Sequence, residues 1–180
     1  MTQTWIALLR GMNVGGHRIT NADLTRAFAA MGCANVGTFR ASGNVFFDGE
    51  GATADWTLRI QDGLRAALGY EVPTYLRTAD ELRAVAQVRP FSDAALAASK
   101  GKPQVTFWAT EADEAVHAAV LDLATREDQL VIQGRELFWL PSGGFLESDL
   151  DLARIARLAG EGTTRTLGTV EGIVKKLGKR

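Results

Sequence analysis

The sequence predicts an α+β protein of two ferredoxin-like (split βαβ) halves, with helices packed on antiparallel or mixed sheets. Three observations carry the prediction. Short apolar runs and stretches of helical periodicity follow the order β-α-β-β-α-β within about the first 77 residues. A weaker β-α-β-β-α succession comes next, with no clear sequence identity to the first. Between them, residues 90–103 carry Pro90, Ser92, Ser99, Gly101 and Pro103, the composition of a connector. The domain reading is therefore an N-terminal half at 1–89, a connector at 90–103, and a C-terminal half at 104–180 with an extra terminal helix.

Each element has a local reason. Trp5-Ile6-Ala7-Leu8-Leu9 is a continuous apolar run, the pattern of a buried central strand. Thr20 or Asn21 caps a helix with Leu24, Ala27, Phe28 and Met31 at helical spacing, and Gly32 ends it. Val36–Arg40 and Asn44–Asp48 read as a hairpin across Ala41-Ser42-Gly43. A helix from Asp55 puts Trp56, Ile60, Leu64, Ala67 and Leu68 on one face and closes at Gly69; Pro73–Arg77 is a short strand. Thr78-Ala79-Asp80-Glu81 is a capping box that opens a third helix, stopping before Pro90. In the second half, Gln104–Ala109 is a strand and Glu111–Thr125 a helix. Leu130–Gln133 and Glu136–Leu140 form a hairpin across Gly134-Arg135, and a helix covers roughly Ser148–Ala159. Thr163-Thr164-Arg165 then leads to a last helix from about Thr169 to Leu177.

Composition narrows the function classes. The 180 residues carry 46% apolar and 23% charged side chains, which argues against disorder, collagen and coiled coil. Twenty basic residues face 21 acidic ones, so the basic excess of a duplex-binding domain is absent. A single cysteine, Cys33, permits neither an internal disulfide nor a cysteine-rich zinc site. The first residues do not read as a secretory leader, and apolar runs fall short of the roughly 18 residues that a membrane helix needs. The expected setting is the cytosol.

The distinctive segment is Gly11-Met12-Asn13-Val14-Gly15-Gly16, between a strand and a helix, where phosphate loops occur. Gly11 and Gly16 meet the Walker spacing, but His17-Arg18 stands where Lys-[Ser/Thr] is needed, so the phosphate lysine and the Mg²⁺ hydroxyl are both missing. The spacing also fails G-x-G-x-x-G. A tight turn needing positive φ is one reading; a ligand-contacting loop is the other. Topology favours the second. In a split βαβ unit, the end of the first strand, the bend between the second and third, and the start of the first helix share one sheet end. That juxtaposition gathers Arg10, Asn13, His17, Arg18, Arg40, Ser42 and Asn44, with glycine backbone and helix N–H groups, into a candidate anion or carboxylate site.

Leu9-Arg10-Gly11-Met12-Asn13-Val14-Gly15-Gly16, Met31-Gly32, Asn35-Val36 and Ser42-Gly43-Asn44-Val45-Phe46-Phe47 together resemble domain-of-unknown-function family sixteen-ninety-seven, widespread small bacterial proteins without an established activity. The resemblance covers most of the chain and implies an α+β fold with ferredoxin-like halves. It also implies a Thr-Thr-Arg segment before the final helix, matched by Thr163-Thr164-Arg165, and on that ground alone Arg165 joins the candidate ligand-binding set. Ala41 stands where the family commonly has glutamine, and Leu167-Gly168 where it commonly has Trp-Asn. Any ligand contact those side chains make in relatives is lost here.

Other chemistry-bearing residues read as structural. His117 lies within a predicted helix, and neither it nor His17 has an assignable orienting partner. Cys33 follows a helix C-terminus, which raises rather than lowers a thiol pKa. Ser42 sits in a hairpin, not a nucleophile elbow. Glu147-x-Asp149-x-Asp151 could ligate a hard cation, but acids at a helix start already suit the dipole. Phe107, Trp108, Phe138 and Trp139 fall on strands, yet no RNP consensus is present, and core packing is the favoured role.

The functional reading is a protein, enzyme or not, that binds a small anionic or polar ligand through Arg10, Gly11, Asn13, Gly15, Gly16, Ser42 and Asn44. Arg10 supplies charge, the glycines N–H donors, and the asparagines orienting hydrogen bonds. The alternative is a non-enzymatic module binding protein or RNA through a sheet face or edge. No motif names a catalytic residue, a cofactor or a metal.

Overall fold

In the computed structural model, which describes residues 1–12, 19–40, 43–143 and 148–179, the apolar run at 5–9 becomes β1, Gln3–Leu9. Ile6, Ala7 and Leu8 have no exposed surface, so successive side chains are buried on both faces of this strand. β1 pairs antiparallel with β3 (Asn44–Gly49) on one side and β4 (Thr74–Thr78) on the other, and β2 (Ala34–Thr38) pairs with β3. The order β2-β3-β1-β4 is that of a ferredoxin-like sheet.

Two helices complete the first unit. α1 (Asn21–Ala30) and α2 (Thr53–Leu68) place Leu24, Phe28, Trp56, Ile60 and Leu64 against Trp5, Ala7, Leu9, Val45 and Phe47. The rings interlock: Phe28 and Phe47 lie 5.8 Å apart, and Phe47 meets Trp56 edge-on at 4.9 Å. Full burial of each such side chain contributes roughly 1.5–3 kcal/mol over exposure. The caps follow the sequence. Thr20 and Asp23 form a reciprocal box at α1, and Gly69 ends α2 with φ at 79°. Thr78 and Glu81 exchange hydrogen bonds at the start of α3 (Ala79–Gln87), at 2.8 and 3.1 Å.

The second unit repeats the plan. β5 (Gln104–Trp108) lies between β7 (Glu136–Leu140) and β8 (Gly162–Thr166), with β6 (Gln129–Gln133) outermost, giving β6-β7-β5-β8. α5 (Glu114–Leu121) and α6 (Leu152–Ala159) accompany it, and Trp108, Leu137, Trp139, Val120 and Ile155 share one core. Contacts divide the chain into Met1–Ala84 with Gly172–Arg180, and Val85–Glu171.

Three features differ from the sequence reading. The second half is a complete β-α-β-β-α-β unit, because Thr163-Thr164-Arg165 belongs to β8; Gly-Thr-Thr-Arg-Thr has no apolar alternation, and pairing with β5 makes it a strand, with the Thr106 and Thr164 hydroxyls 2.7 Å apart. The connector holds α4 (Asp93–Ala98), where Ser92 caps the N–H of Ala95 at 3.2 Å. Helix starts also move inward: Asp113 caps α5 and Asp151 caps α6, each accepting a backbone N–H at 2.8 Å, while α7 (Leu167–Leu177) follows β8 directly.

A buried carboxylate ties the second unit together. Asp128, 2% exposed, accepts from Trp139 Nε1 at 2.9 Å, Ser148 Oγ at 2.7 Å, the Ser142 backbone at 3.3 Å and Thr125 Oγ1 at 3.1 Å. Burial alone would raise its pKa, but the hydrogen bonds from Ser148, Trp139, Ser142 and Thr125 outweigh it and hold the group below its ordinary 3.8. A depressed folded-state pKa means that the stabilisation is complete above the unfolded value and lost as pH falls through the folded one. Asp128→Ala should cost about 3 kcal/mol in urea unfolding, because it strands the buried Trp139 N–H. The gap between the wild type and this variant should be constant at neutral pH and close only below about pH 4.

Candidate functional site

The rim expected at one sheet end exists in its described part. Leu8 pairs with Asn44 in the β1–β3 ladder, and beyond it the Leu9 N–H donates to Gly43 O at 2.8 Å. The next N–H, of Arg10, donates to Pro73 O at 2.9 Å, just before β4 begins. The exit of β1, the bend before β3 and the start of β4 therefore meet. Backbone bonds on consecutive residues fix where Arg10 leaves the sheet.

The bend is shaped by its backbone. Gly43 has φ at 70°, and a Cβ there would lie 2.8 Å from Met12 Cγ and 3.0 Å from Leu9 Cβ. Gly11 has φ at 72°, but a Cβ there would meet nothing within 4 Å. Arg40 holds φ at 57°, a left-handed conformation that is uncommon for a side chain of this size, with its guanidinium 5.3 Å from the Phe39 ring centre. Asn44 is 2% exposed; its Nδ2 donates to Phe39 O at 3.1 Å, and the Phe39 N–H donates to Asn44 O at 3.0 Å. The asparagine thus closes the bend from inside.

Of the expected site residues, the structure places Arg10, Gly11 and Asn44 at one sheet end, with Arg40 following Phe39 on the bend that Asn44 closes. Asn13, Gly15, Gly16 and Ser42, and also His17 and Arg18, lie outside the described residues. Arg165 sits on β8 in the second unit; its Nη1 donates to Thr163 Oγ1 and Thr164 O, both at 2.8 Å, and burial lowers its pKa to about 10. The start of α1 is less open to an anion than its dipole suggests. The Asp23 N–H donates to Thr20 Oγ1 at 3.1 Å, and the Asp23 carboxylate already occupies that terminus, held ionised by the Thr20 side chain and backbone.

The remaining candidates among the described residues fall into structural roles, and Glu147 lies outside the described residues. Phe107, Trp108, Phe138 and Trp139 are at most 1% exposed, so none offers a face for base stacking. His117 Nε2 is buried without a hydrogen-bond partner among the described residues, and Asp151 caps α6. No group of three or more His, Cys, Asp or Glu side chains among the described residues could hold a metal ion. Among them, too, no helix is long and apolar enough to cross a membrane. Sequence reasoning missed Asp128, the buried Arg77 on β4, and the pairing of Asp48 with Thr4 and Asn35. The only signal for Asp48 was its place on the predicted hairpin strand.

The family described as Protein of unknown function (DUF1697) matches residues 1–138. This chain belongs to that family. No curated protein matches this DUF1697 chain. Among solved structures it is similar to the conserved bacterial protein SP0830 from Streptococcus pneumoniae, with 20% identity, a TM-score of 0.73 and 99% of each chain covered. At that identity the likeness establishes a shared fold. A second match, the putative chlorite dismutase TA0507, has 9% identity over 96% of this chain and 99% of its own, with a TM-score of 0.25, too low to bear on fold or function.

Two substitutions test the bend. Gly11→Ala meets only the left-handed backbone cost, about 1 kcal/mol. Gly43→Ala adds crowding against Met12 and Leu9 and should cost about 2–4 kcal/mol, read by chemical denaturation. Cys33 gives a third check. Burial pushes its thiol from 9.0 up to about 11, against a smaller opposing pull from Arg59. At pH 8 in native buffer it should react with a disulfide reagent about a hundredfold more slowly than in denaturant.

Proposed function

We propose that this DUF1697 protein binds a small anionic or polar ligand at the rim where β1 ends and the β2–β3 bend turns. Arg10 is the principal charged contact and Arg40 a flanking one, with Gly11, Asn13, Gly15, Gly16 and Ser42 as the expected backbone and side-chain donors; Asn44 closes the β2–β3 bend through Phe39. What supports this reading above all is the placement of Arg10. Its own N–H is bonded to Pro73 O at 2.9 Å, one residue after Leu9 is bonded to Gly43 O, so a cationic side chain rises from a rigid sheet end beside two left-handed glycines. A guanidinium presented this way recognises a carboxylate or phosphate with paired, charge-assisted hydrogen bonds.

The test is thermal unfolding of wild type and Arg10→Ala with a panel of inorganic phosphate, nucleotides and small carboxylates. A ligand at about 100 times its Kd stabilises by about 2.7 kcal/mol, which at this chain length raises Tm by about 5–10 °C. Arg10→Ala should lose about 10- to 100-fold in affinity for that ligand, each protein's shift being read against its own ligand-free Tm. A panel in which nothing stabilises the wild type, or in which both proteins gain equally, refutes the reading.

A further inference from the structure

A second site lies in the second unit, at the end of the β6–β7 ladder where Gln129 pairs with Leu140. The next pair, Leu130 with Trp139, belongs to the core shared with α5 and α6, and side chains alternate along a strand, so Gln129 and Leu140 share the opposite sheet face. A cleft of about 380 Å³ opens there, within the usual size for small-molecule sites. Its apolar part is Leu140 with the alanines of α4, and its polar lining includes Lys100, Arg126, Glu127, Gln129 and Ser142.

Segments far apart in sequence are clamped together to make this cleft. The turn after α4 is fixed to the segment that follows β7: Ser99 Oγ donates to Pro141 O at 2.5 Å, and the Lys100 N–H donates to Ser142 O at 3.4 Å. Gly101 completes the clamp, since a Cβ there would lie 2.3 Å from Gly143 O and 2.5 Å from Pro141 Cγ. The segment before β6 is fixed to the same place through Asp128, whose carboxylate accepts the Ser142 N–H at 3.3 Å and the Thr125 hydroxyl at 3.1 Å. Thr125 Oγ1 in turn accepts the N–H groups of Glu127 at 3.2 Å and Asp128 at 2.8 Å. Lys100 and Arg126 therefore stand on two short turns that are both anchored to the backbone of Ser142. Turns held this way present their side chains with little reorganisation on binding.

The side chains in the cleft are uncommitted. Lys100 and Arg126 are exposed, and among the described residues neither makes an ion pair or a side-chain hydrogen bond; the same holds for the side chains of Glu127 and Gln129. Two cations against one carboxylate leave the cleft net positive. A phosphate monoester carries roughly −1.5 to −2 charges at pH 7, and it suits the fork of an arginine together with the point charge of a lysine. Glu127 sets the rest of the ligand. An ionised carboxylate only accepts hydrogen bonds, so it repels a second phosphate and favours O–H donors. The Gln129 amide and the Ser142 hydroxyl both donate and accept, as neighbouring hydroxyl groups require. We propose that this cleft binds a phosphorylated polyol of the sugar phosphate class, its phosphate on Lys100 and Arg126 and its hydroxyls on Glu127, Gln129 and Ser142. The site shares no residue with the rim of Arg10 and does not depend on it.

Calorimetric titration of the full chain with four probes tests the assignment: D-glucose 6-phosphate, D-ribose 5-phosphate, inorganic phosphate, which lacks the polyol, and D-glucose, which lacks the phosphate. At least one sugar phosphate should bind more tightly than inorganic phosphate, and D-glucose should not saturate. Lys100→Met and Arg126→Met should each lose about 10- to 100-fold in affinity for that sugar phosphate. Glu127→Gln should weaken the sugar phosphate yet leave inorganic phosphate bound at least as tightly, because it removes a repulsion along with an acceptor. All three substitutions fall at exposed positions. The proposal is overturned if neither sugar phosphate saturates at millimolar concentration, or if inorganic phosphate binds as tightly as both. A sugar phosphate that binds Lys100→Met and Arg126→Met as it binds wild type is held elsewhere on the chain, and that result overturns the proposal too.

Discussion

Burial of β1 on both of its faces is the constraint from which the first unit follows. Ile6, Ala7 and Leu8 are wholly removed from solvent, so the strand needs a hydrogen-bonding neighbour on each side and apolar surface on each face. β3 and β4 supply the neighbours, both antiparallel. An antiparallel β3 beside β1 places the β2–β3 bend at the end where β1 leaves the sheet. A one-residue slip of that ladder would turn Trp5 and Ala7 away from the α1–α2 core. Register, core and rim are therefore one decision, taken in the Leu8–Asn44 and Leu9–Gly43 pairings.

The two units close their sheets with the same device. β4 ends in Arg77-Thr78 and β8 in Arg165-Thr166, and each threonine hydroxyl accepts the N–H three residues on at 3.1 Å, launching a helix without an intervening loop. Each arginine stands opposite a fully buried apolar residue of its central strand, Ile6 for Arg77 and Val105 for Arg165. Arg77 is 1% exposed and burial depresses the pKa of Arg165, so both guanidiniums carry a desolvation cost. The halves share this construction although their sequences share little, because strand order and caps tolerate almost any apolar residue at the inward positions.

Most of the fold was legible because its signals are local. The capping pairs Thr20–Asp23 and Thr78–Glu81, the stop at Gly69, and the apolar faces of α1 and α2 all act within a few residues. β8 was not legible, since Gly-Thr-Thr-Arg-Thr becomes a strand only when β5 offers it partners. The rim was legible as topology. The internal commitment of Asn44 to Phe39 O was not, because nothing in Ser-Gly-Asn says which way the amide turns. The cleft around Lys100 and Arg126 escaped entirely: its residues come from α4, the turns after α4 and before β6, and the β6–β7 ladder, and the buried Asp128 that joins them has no local pattern of its own.

From residue order alone came the α+β class, the first split βαβ unit, the family resemblance and the reading of Cys33 as a packing residue, each dictated by periodicity, caps or a short motif. Folding in three dimensions decided which charges are exposed, which carboxylates are oriented and where clefts open. Those properties depend on distances between segments far apart in the chain, and side-chain periodicity carries no information about such distances.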